Sequence, residues 1–369
     1  GRKLIVQHEG DYHGIVDEVL VRGTPGGRSI PAAPGVPPES VANTLVLEYG
    51  SEKSLEILRE RAHELAAVVI EPVQSRKPDL QPADYVREVR RICDASGAAL
   101  IMDEVVCGFR VHWAGAQGVW GVKADIGCYG KVFGAGMPVG AIAGSRRFMD
   151  ALDGGAWRYG DDSVPEVGVT YFAGTFVRHP LTMAVVHAAL RHMRANPGLQ
   201  EQVNTTAERL VDRLHALLAA EGFPMHIGRF GSLLKPEWTQ EPAFGELFYY
   251  YLREAGVYAW DARPNYLTTA HGDTELDRIV EGFEYAVGQM KRGGFLDDVR
   301  PTAQLVTLAS DRTSITVPST ESQREVWLAD RFVAGNSLAY NEGLLLTLDG
   351  ALDEDALRHA LQTLLDRHE

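Results

Sequence analysis

The sequence predicts an α/β fold built on a mainly parallel sheet with covering helices. Three observations carry this expectation. Short apolar runs of strand length alternate with amphipathic helical stretches. Turn signals fall between them. After about residue 225 the rhythm changes to a smaller α+β pattern, which predicts a second, smaller domain.

The elements follow in order. "LIVQH" opens the chain as a strand, and "LAAVVIEPV" (65–73) reads as a buried strand. "PADYVREVRRICDASG" (82–97) sets Val86, Val89, Ile92 and Cys93 on one helical face, with Pro82 near its start and Gly97 as its stop. "AALIMDEV" (98–105) and "DIGCYG" (125–130) are the next strands. Helical patterns follow over 176–195 and 203–218, the latter through Val203, Ala207, Leu210, Val211, Leu214, Leu217 and Leu218. "MHIGRFGSLLKPEW" (225–238) begins the smaller portion, and a helix over 274–291 closes it. Residues 293–318 read as a linker, and 319–369 as a helix, a strand and a helix.

Composition narrows the function. The 369 residues carry a net charge of −14, which argues against nucleic acid as a partner, since that role needs surplus Lys and Arg facing phosphates. No apolar run reaches the ~18 residues of a membrane span. Cys93, Cys107 and Cys128 have no CxxC spacing, and the histidines form no HExxH, so neither a disulfide framework nor a metal centre is expected. Reduced thiols suggest a cytoplasmic protein. The chain opens directly in a strand and stops just after a helix, as expected of a piece cut from a longer polypeptide.

One stretch poses a chemical question. "GCYGKVFGAGMPVGAIAG" (127–144) holds a single lysine among small and apolar residues. It is not a P-loop, because Val132 stands where Ser or Thr must follow the lysine. It is not a dinucleotide fingerprint, because Val139 stands where the third glycine belongs. Upstream, "ALIMDEV" ends on Asp103 and Glu104. An acidic pair there also reads as a solvated strand end. Asp103 and Lys131, each at the end of its own parallel strand, are expected on one rim of the sheet, where α/β proteins bind ligands. An apolar setting disfavours the ammonium form and frees a lysine amine to condense with an aldehyde. A carboxylate can hold a pyridine nitrogen protonated, and the protonated ring is then an electron sink.

At this point the chain resembles a class III (subgroup II) pyridoxal-phosphate aminotransferase of fold type I. "IEPVQS" (70–75), "IMDEVVCGFR" (101–110), "GKVFGAGMPVGAIAG" (130–144) and "FAGTFVRHPLTMA" (172–184) carry the resemblance, with "YHG" (12–14) beside them. It implies a fold type I transferase with a large domain over 1–195, its N-terminal part missing, and a small C-terminal domain over 196–292. It implies that Lys131 forms the Schiff base with pyridoxal 5'-phosphate and shuttles the proton, and that Asp103 pairs with the pyridine nitrogen. Val105 and Tyr12 pack on the two ring faces, and Glu71 lines the substrate side. His13 is open between a cofactor contact and a structural hydrogen-bonding role. Thr175 donates to the cofactor phosphate of a neighbouring subunit, which makes the enzyme a homodimer with shared sites; as a plain structural residue it is a helix N-cap. The family's Gly-Ser/Thr-Glu-Ala phosphate loop has no counterpart before Tyr12, so this chain alone is expected to hold the cofactor weakly and to be a poor enzyme.

The segments "PSTESQREVWLADRF" (318–332) and "LAYNEGLLLTLDGALDEDALRHALQTLLDRHE" (338–369) resemble the opening of a nonribosomal-peptide condensation domain. Together with "RYGDDSVPEVGVTYFAGTFVRHP" (158–180), they liken the chain to the aminotransferases embedded in hybrid polyketide/nonribosomal-peptide synthases. The implied partners are an acyl carrier protein bearing a β-ketoacyl thioester and an amino-acid donor. The alternatives are a glutamate-1-semialdehyde-type aminomutase and a non-catalytic scaffold.

Overall fold

A computed structural model of the chain describes residues 2–24 and 29–296, with 358, 359 and 362. Residues Gly1–Leu305 form one compact unit and Val306–Glu369 a second. The expected linker beyond residue 296, and the expected condensation segment apart from those three positions, lie outside the described residues.

The strands, in chain order, are β1 (Leu4–His8), β2 (Val21–Gly23), β3 (Ser29–Pro31), β4 (Thr44–Leu47), β5 (Leu65–Ile70), β6 (Ala99–Asp103), β7 (Ile126–Tyr129), β8 (Ala141–Gly144), β9 (Met225–Phe230), β10 (Leu233–Trp238) and β11 (Asn265–Tyr266). Six of them make the main sheet in the order β4-β1-β5-β6-β7-β8. The first five run parallel and β8 returns antiparallel to β7. Because β1, β5, β6 and β7 are parallel neighbours, the loops that follow them leave from one edge.

Helix Ala83–Ser96 covers this sheet. Its stripe of Tyr85, Val86, Val89, Ile92 and Cys93 is buried, as the 3.6-residue period requires. Gly97 closes it in the left-handed region at φ 76°, a conformation that costs glycine little. The stripe meets Val6, Leu58, Leu65, Val68, Leu100 and Met102 in one core.

A second core lies around the sheet β11-β10-β9. Helix Leu199–Ala220 turns Val203, Ala207, Leu210, Val211, Leu214 and Leu218 inward. Helices Leu247–Glu254 and Asp273–Arg292 add Phe248, Leu252, Phe283 and Val287. Arg213 reaches Asp277 at 2.8 Å and Arg209 reaches Asp273 at 2.7 Å on the outer face; exposed pairs of this kind add little stability.

Two strands are shorter than their apolar runs suggest. β5 stops at Ile70 because Pro72 has no N–H to continue the ladder, and the Glu71 N–H instead donates to Asp11 Oδ2 at 3.2 Å. β6 ends at Asp103, and the Glu104 N–H still donates to the Cys128 carbonyl of β7 at 2.9 Å. The helix expected over 176–195 begins only at Pro180, where a missing N–H is harmless.

Leu100 is fully buried on β6 between β5 and β7. Replacing it with alanine is expected to cost about 2–5 kcal/mol in urea unfolding, through lost burial and the cavity left behind; a loss below about 1 kcal/mol would place it outside a close-packed core.

Candidate active site

The parallel edge gathers four loops. The first follows β1 and reads Gly10-Asp11-Tyr12-His13-Gly14. Both glycines have positive φ, 88° and 100°, so the chain bends sharply on either side of three polar residues. The second follows β5 with Glu71 to Ser75. The third follows β6 with Glu104 to Arg110. The fourth follows β7 with Gly130-Lys131.

The first two loops clamp one another. Asp11 Oδ2 accepts the Glu71 N–H at 3.2 Å, and Asp11 Oδ1 accepts Gln74 Nε2 at 2.7 Å. In return Glu71 Oε2 accepts the Tyr12 N–H at 3.2 Å, and its Oε1 accepts the Ser75 N–H at 3.0 Å. Each carboxylate satisfies amides that the loops cannot pair between themselves. Burial pushes Glu71 up to about 7, against the lowering effect of those two amides.

The third loop is tied in across β5. His13 Nδ1 lies 2.8 Å from Asp103 Oδ2, and its Nε2 faces Asp11 Oδ2 at 3.3 Å, an ionic contact poorly aligned for a hydrogen bond. Burial opposes a charged ring, but Asp103 and Asp11 on its two sides prevail and raise His13 to about 9. Asp11 is held down at about 2: burial opposes its charge, and His13 and His8 outweigh it. Asp103 Oδ1 also accepts the Val105 N–H at 3.1 Å.

Glu104 points away from this group. It is fully buried, and its carboxylate accepts the N–H groups of Ala116 and Gln117 at 3.0 and 2.9 Å. It thereby anchors helix Gly115–Trp120, and burial raises it to about 7.

The structure brings Asp103 and Lys131 to the same rim. Asp103 ends β6 opposite Cys128 on β7, and Lys131 follows three residues on. Adjacent strands lie ~4.8 Å apart and three residues span at most ~10 Å, so the two backbone positions lie within ~12 Å. Lys131 has φ 49°, a left-handed conformation that costs a non-glycine residue about 1 kcal/mol or more and collects at functional sites. Phe109 shares this feature at φ 59° and packs on Phe133 and Tyr129, with ring centroids 5.7 Å away. Val105 lies beside Gly130, where an added Cβ would meet Val105 Cγ1 at 3.3 Å.

Three expectations are corrected. Lys131 is not enclosed by apolar groups: its side chain is exposed at the rim, because the turn after β7 projects it outward. Glu71 does not line an open substrate side: it is 3% exposed, and its oxygens are taken up by the loop amides. Thr175 is not a helix N-cap, since that position is His179; it lies in an exposed turn before Pro180. Tyr12 presents a 55% exposed ring on the rim, anchored through its backbone. Asp11 is the site residue that the motifs missed; an acidic residue in a glycine-bracketed loop at a parallel strand end was its available signal.

The segment bearing Thr175 is apolar and open. Tyr159, Tyr171 and Phe176 are 98%, 93% and 81% exposed, with Val164, Phe172 and Leu181 also uncovered.

Comparison with known proteins fits this geometry. A family model described as "Aminotransferase class-III" matches residues 1–285. A glutamate-1-semialdehyde 2,1-aminomutase of Alkaliphilus metalliredigens (strain QYMF) is 31% identical over 299 residues, covering 76% of this chain and 65% of its own length. The chain thus spans just under two thirds of that relative. A solved structure described as a transaminase with PLP bound is 31% identical, with a TM-score of 0.68 over 79% of this chain and 69% of its own. A β-phenylalanine aminotransferase from Variovorax paradoxus is 25% identical, with a TM-score of 0.64 over 79% of this chain and 65% of its own.

The pH dependence of folding follows from Glu71. Its folded value lies above the ordinary carboxylate value, so its contribution is full below about 4.5 and is lost as pH rises through about 7. The unfolding midpoint of wild type is expected to fall more steeply between pH 5 and 8 than that of Glu71→Gln in parallel thermal scans. Equal slopes would contradict the assignment.

Proposed function

The chain belongs to the class III aminotransferase family, and from that premise we propose that it transfers an amino group with pyridoxal 5'-phosphate as cofactor. The carrying observation is the shared rim: an accessible amine at Lys131 and a carboxylate at Asp103, fixed by His13. The residues present fit a flat, charged aldehyde ring. Lys131 would supply the amine that holds the aldehyde and would move a proton at the carbon attached to nitrogen. Asp103 would pair with the ring nitrogen, and Tyr12 and Val105 would pack on the two ring faces. When bound, the cofactor supplies an electron sink for a carbanion.

We take residues 1–195 as the cofactor-bearing domain and 196–292 as the small domain. A second copy of the chain would cover the apolar segment around Tyr171 and Phe176 and bring its Thr175 to the cofactor phosphate, giving a homodimer with shared sites. The exposure of that segment supports this reading.

For the substrate, the embedded-synthase resemblance favours a β-ketoacyl thioester on an acyl carrier protein. The donor amino acid becomes a 2-oxo acid, and its nitrogen replaces the β-carbonyl oxygen, with no net oxidation. The β-phenylalanine aminotransferase named above is consistent with chemistry at a β-amine. A second reading, aminomutase activity on a glutamate-1-semialdehyde-like substrate, is favoured by the name of the curated relative.

Mass spectrometry of a β-ketoacyl carrier protein incubated with this chain, cofactor and glutamate or glutamine tests the proposal. Slow conversion to the β-aminoacyl form is expected, in keeping with the weak cofactor hold expected of this chain alone, and Lys131→Ala should abolish it, losing at least ~10³-fold, because its amine is both nucleophile and proton carrier. Isomerisation of an aminoaldehyde without any donor, and no β-amino product, would favour the aminomutase.

A further inference from the structure

Behind Asp103 a line of polar side chains runs into the core. His13 Nδ1 lies 2.8 Å from Asp103 Oδ2. His13 Nε2 lies 3.3 Å from Asp11 Oδ2. The same Asp11 oxygen lies 3.7 Å from His8 Nδ1, and His8 Nε2 lies 2.8 Å from the Tyr85 hydroxyl. The side chains of His8 and Asp11 are 0% exposed and that of His13 is 5% exposed. The line draws on β1 and its loop, on β6 and on helix Ala83–Ser96. The Tyr49 ring lies 5.0 Å from the His8 ring, tilted by 55°, and Glu71 is joined to Asp11 through its backbone. These are the titratable groups that face the line.

We propose that Asp11, backed by His8 and Tyr85, is a positioning residue: it fixes the His13 ring on Asp103 and so aims the Asp103 carboxylate at the place of the cofactor's ring nitrogen. The aiming rests on the cofactor reading above; the contact between Asp11 and His13 does not. An imidazole with one partner can exchange tautomers and rotate. Asp103 accepts from Nδ1 and Asp11 lies 3.3 Å from Nε2 as an ionic neighbour, so one ring orientation sets each nitrogen against a buried carboxylate. Asp11 is itself immobilised by Gln74 Nε2 and the Glu71 N–H. The fixed element is therefore the loop clamp, and His13 carries its rigidity across β5 to β6. Support of this kind, one shell behind a reacting group, is what holds such groups in productive geometry.

The test uses the 369-residue chain with nitrogen-15-labelled histidine, first without cofactor. In wild type His13 is expected to keep both ring protons through neutral pH and to titrate at about 9. In Asp11→Asn, which keeps size and one acceptor, the midpoint should fall by at least one unit, about tenfold in proton affinity. Pyridoxal phosphate added to the two proteins should bind roughly tenfold more weakly to Asp11→Asn, with Lys131 intact.

A wild-type midpoint near the ordinary 6.5 would overturn the proposal, and that reading needs no variant to fold. An Asp11→Asn protein that melts earlier yet keeps the His13 titration and the cofactor affinity would also overturn it, since Asp11 would then be merely structural. Failure of wild type to bind any cofactor refutes the cofactor reading, while a high His13 midpoint that falls in the variant still upholds the Asp11–His13 contact.

Discussion

The arrangement at the rim depends on one constraint: loops leaving adjacent parallel strands must satisfy amides that no strand can reach. Asp11 and Glu71 solve this reciprocally, each accepting from the other's loop. Both are buried carboxylates, and a buried carboxylate is tolerated only when donors surround it. Asp11 has two such donors in Gln74 Nε2 and the Glu71 amide, with the His13 and His8 rings beside it at 3.3 and 3.7 Å. The clamp is therefore built before any ligand arrives. His13 then spans β5 and joins β6 to it. Without that span, Asp103 would be a strand-end carboxylate held only through the Val105 amide.

The other half of the rim is arranged differently. Lys131 stands on a left-handed turn and faces solvent, so its reach is set by backbone strain rather than by burial. The aromatic cluster of Phe109, Tyr129 and Phe133 holds the turn from below. One side of the site is thus rigid and charged, and the other is an extended amine on a strained turn. That division suits a reaction in which one group must stay fixed against a ring while another moves between positions.

Much of this was legible in the sequence, where local signals were strong. Pro82 and Gly97 bracket the helix that the structure shows, and the inward stripe of Leu199–Ala220 follows the period read from Val203 to Leu218. Asp103 and Lys131 were legible as a pair because both close strands of a parallel sheet. The duties of Asp11 and Glu71 were not legible, since they depend on a meeting of loops some sixty positions apart. The end of β5 had a related origin, a long-range acceptor, Asp11, taking the Glu71 amide that the apolar pattern assigned to the ladder. His13, open between two roles on sequence alone, bonds to Asp103. Thr175 stayed beyond reach because its place in an exposed turn depends on where Pro180 starts the next helix.

In the proposed function, the amine at Lys131 and the carboxylate at Asp103 bracket one pyridine ring. Borohydride reduction of the chain in saturating pyridoxal phosphate, followed by peptide mass mapping, tests it most directly. A pyridoxyl adduct concentrated on the peptide holding Lys131, and much reduced in Asp103→Ala, is expected. Adducts spread over surface lysines, with the Lys131 peptide unmodified or indifferent to Asp103, would contradict it.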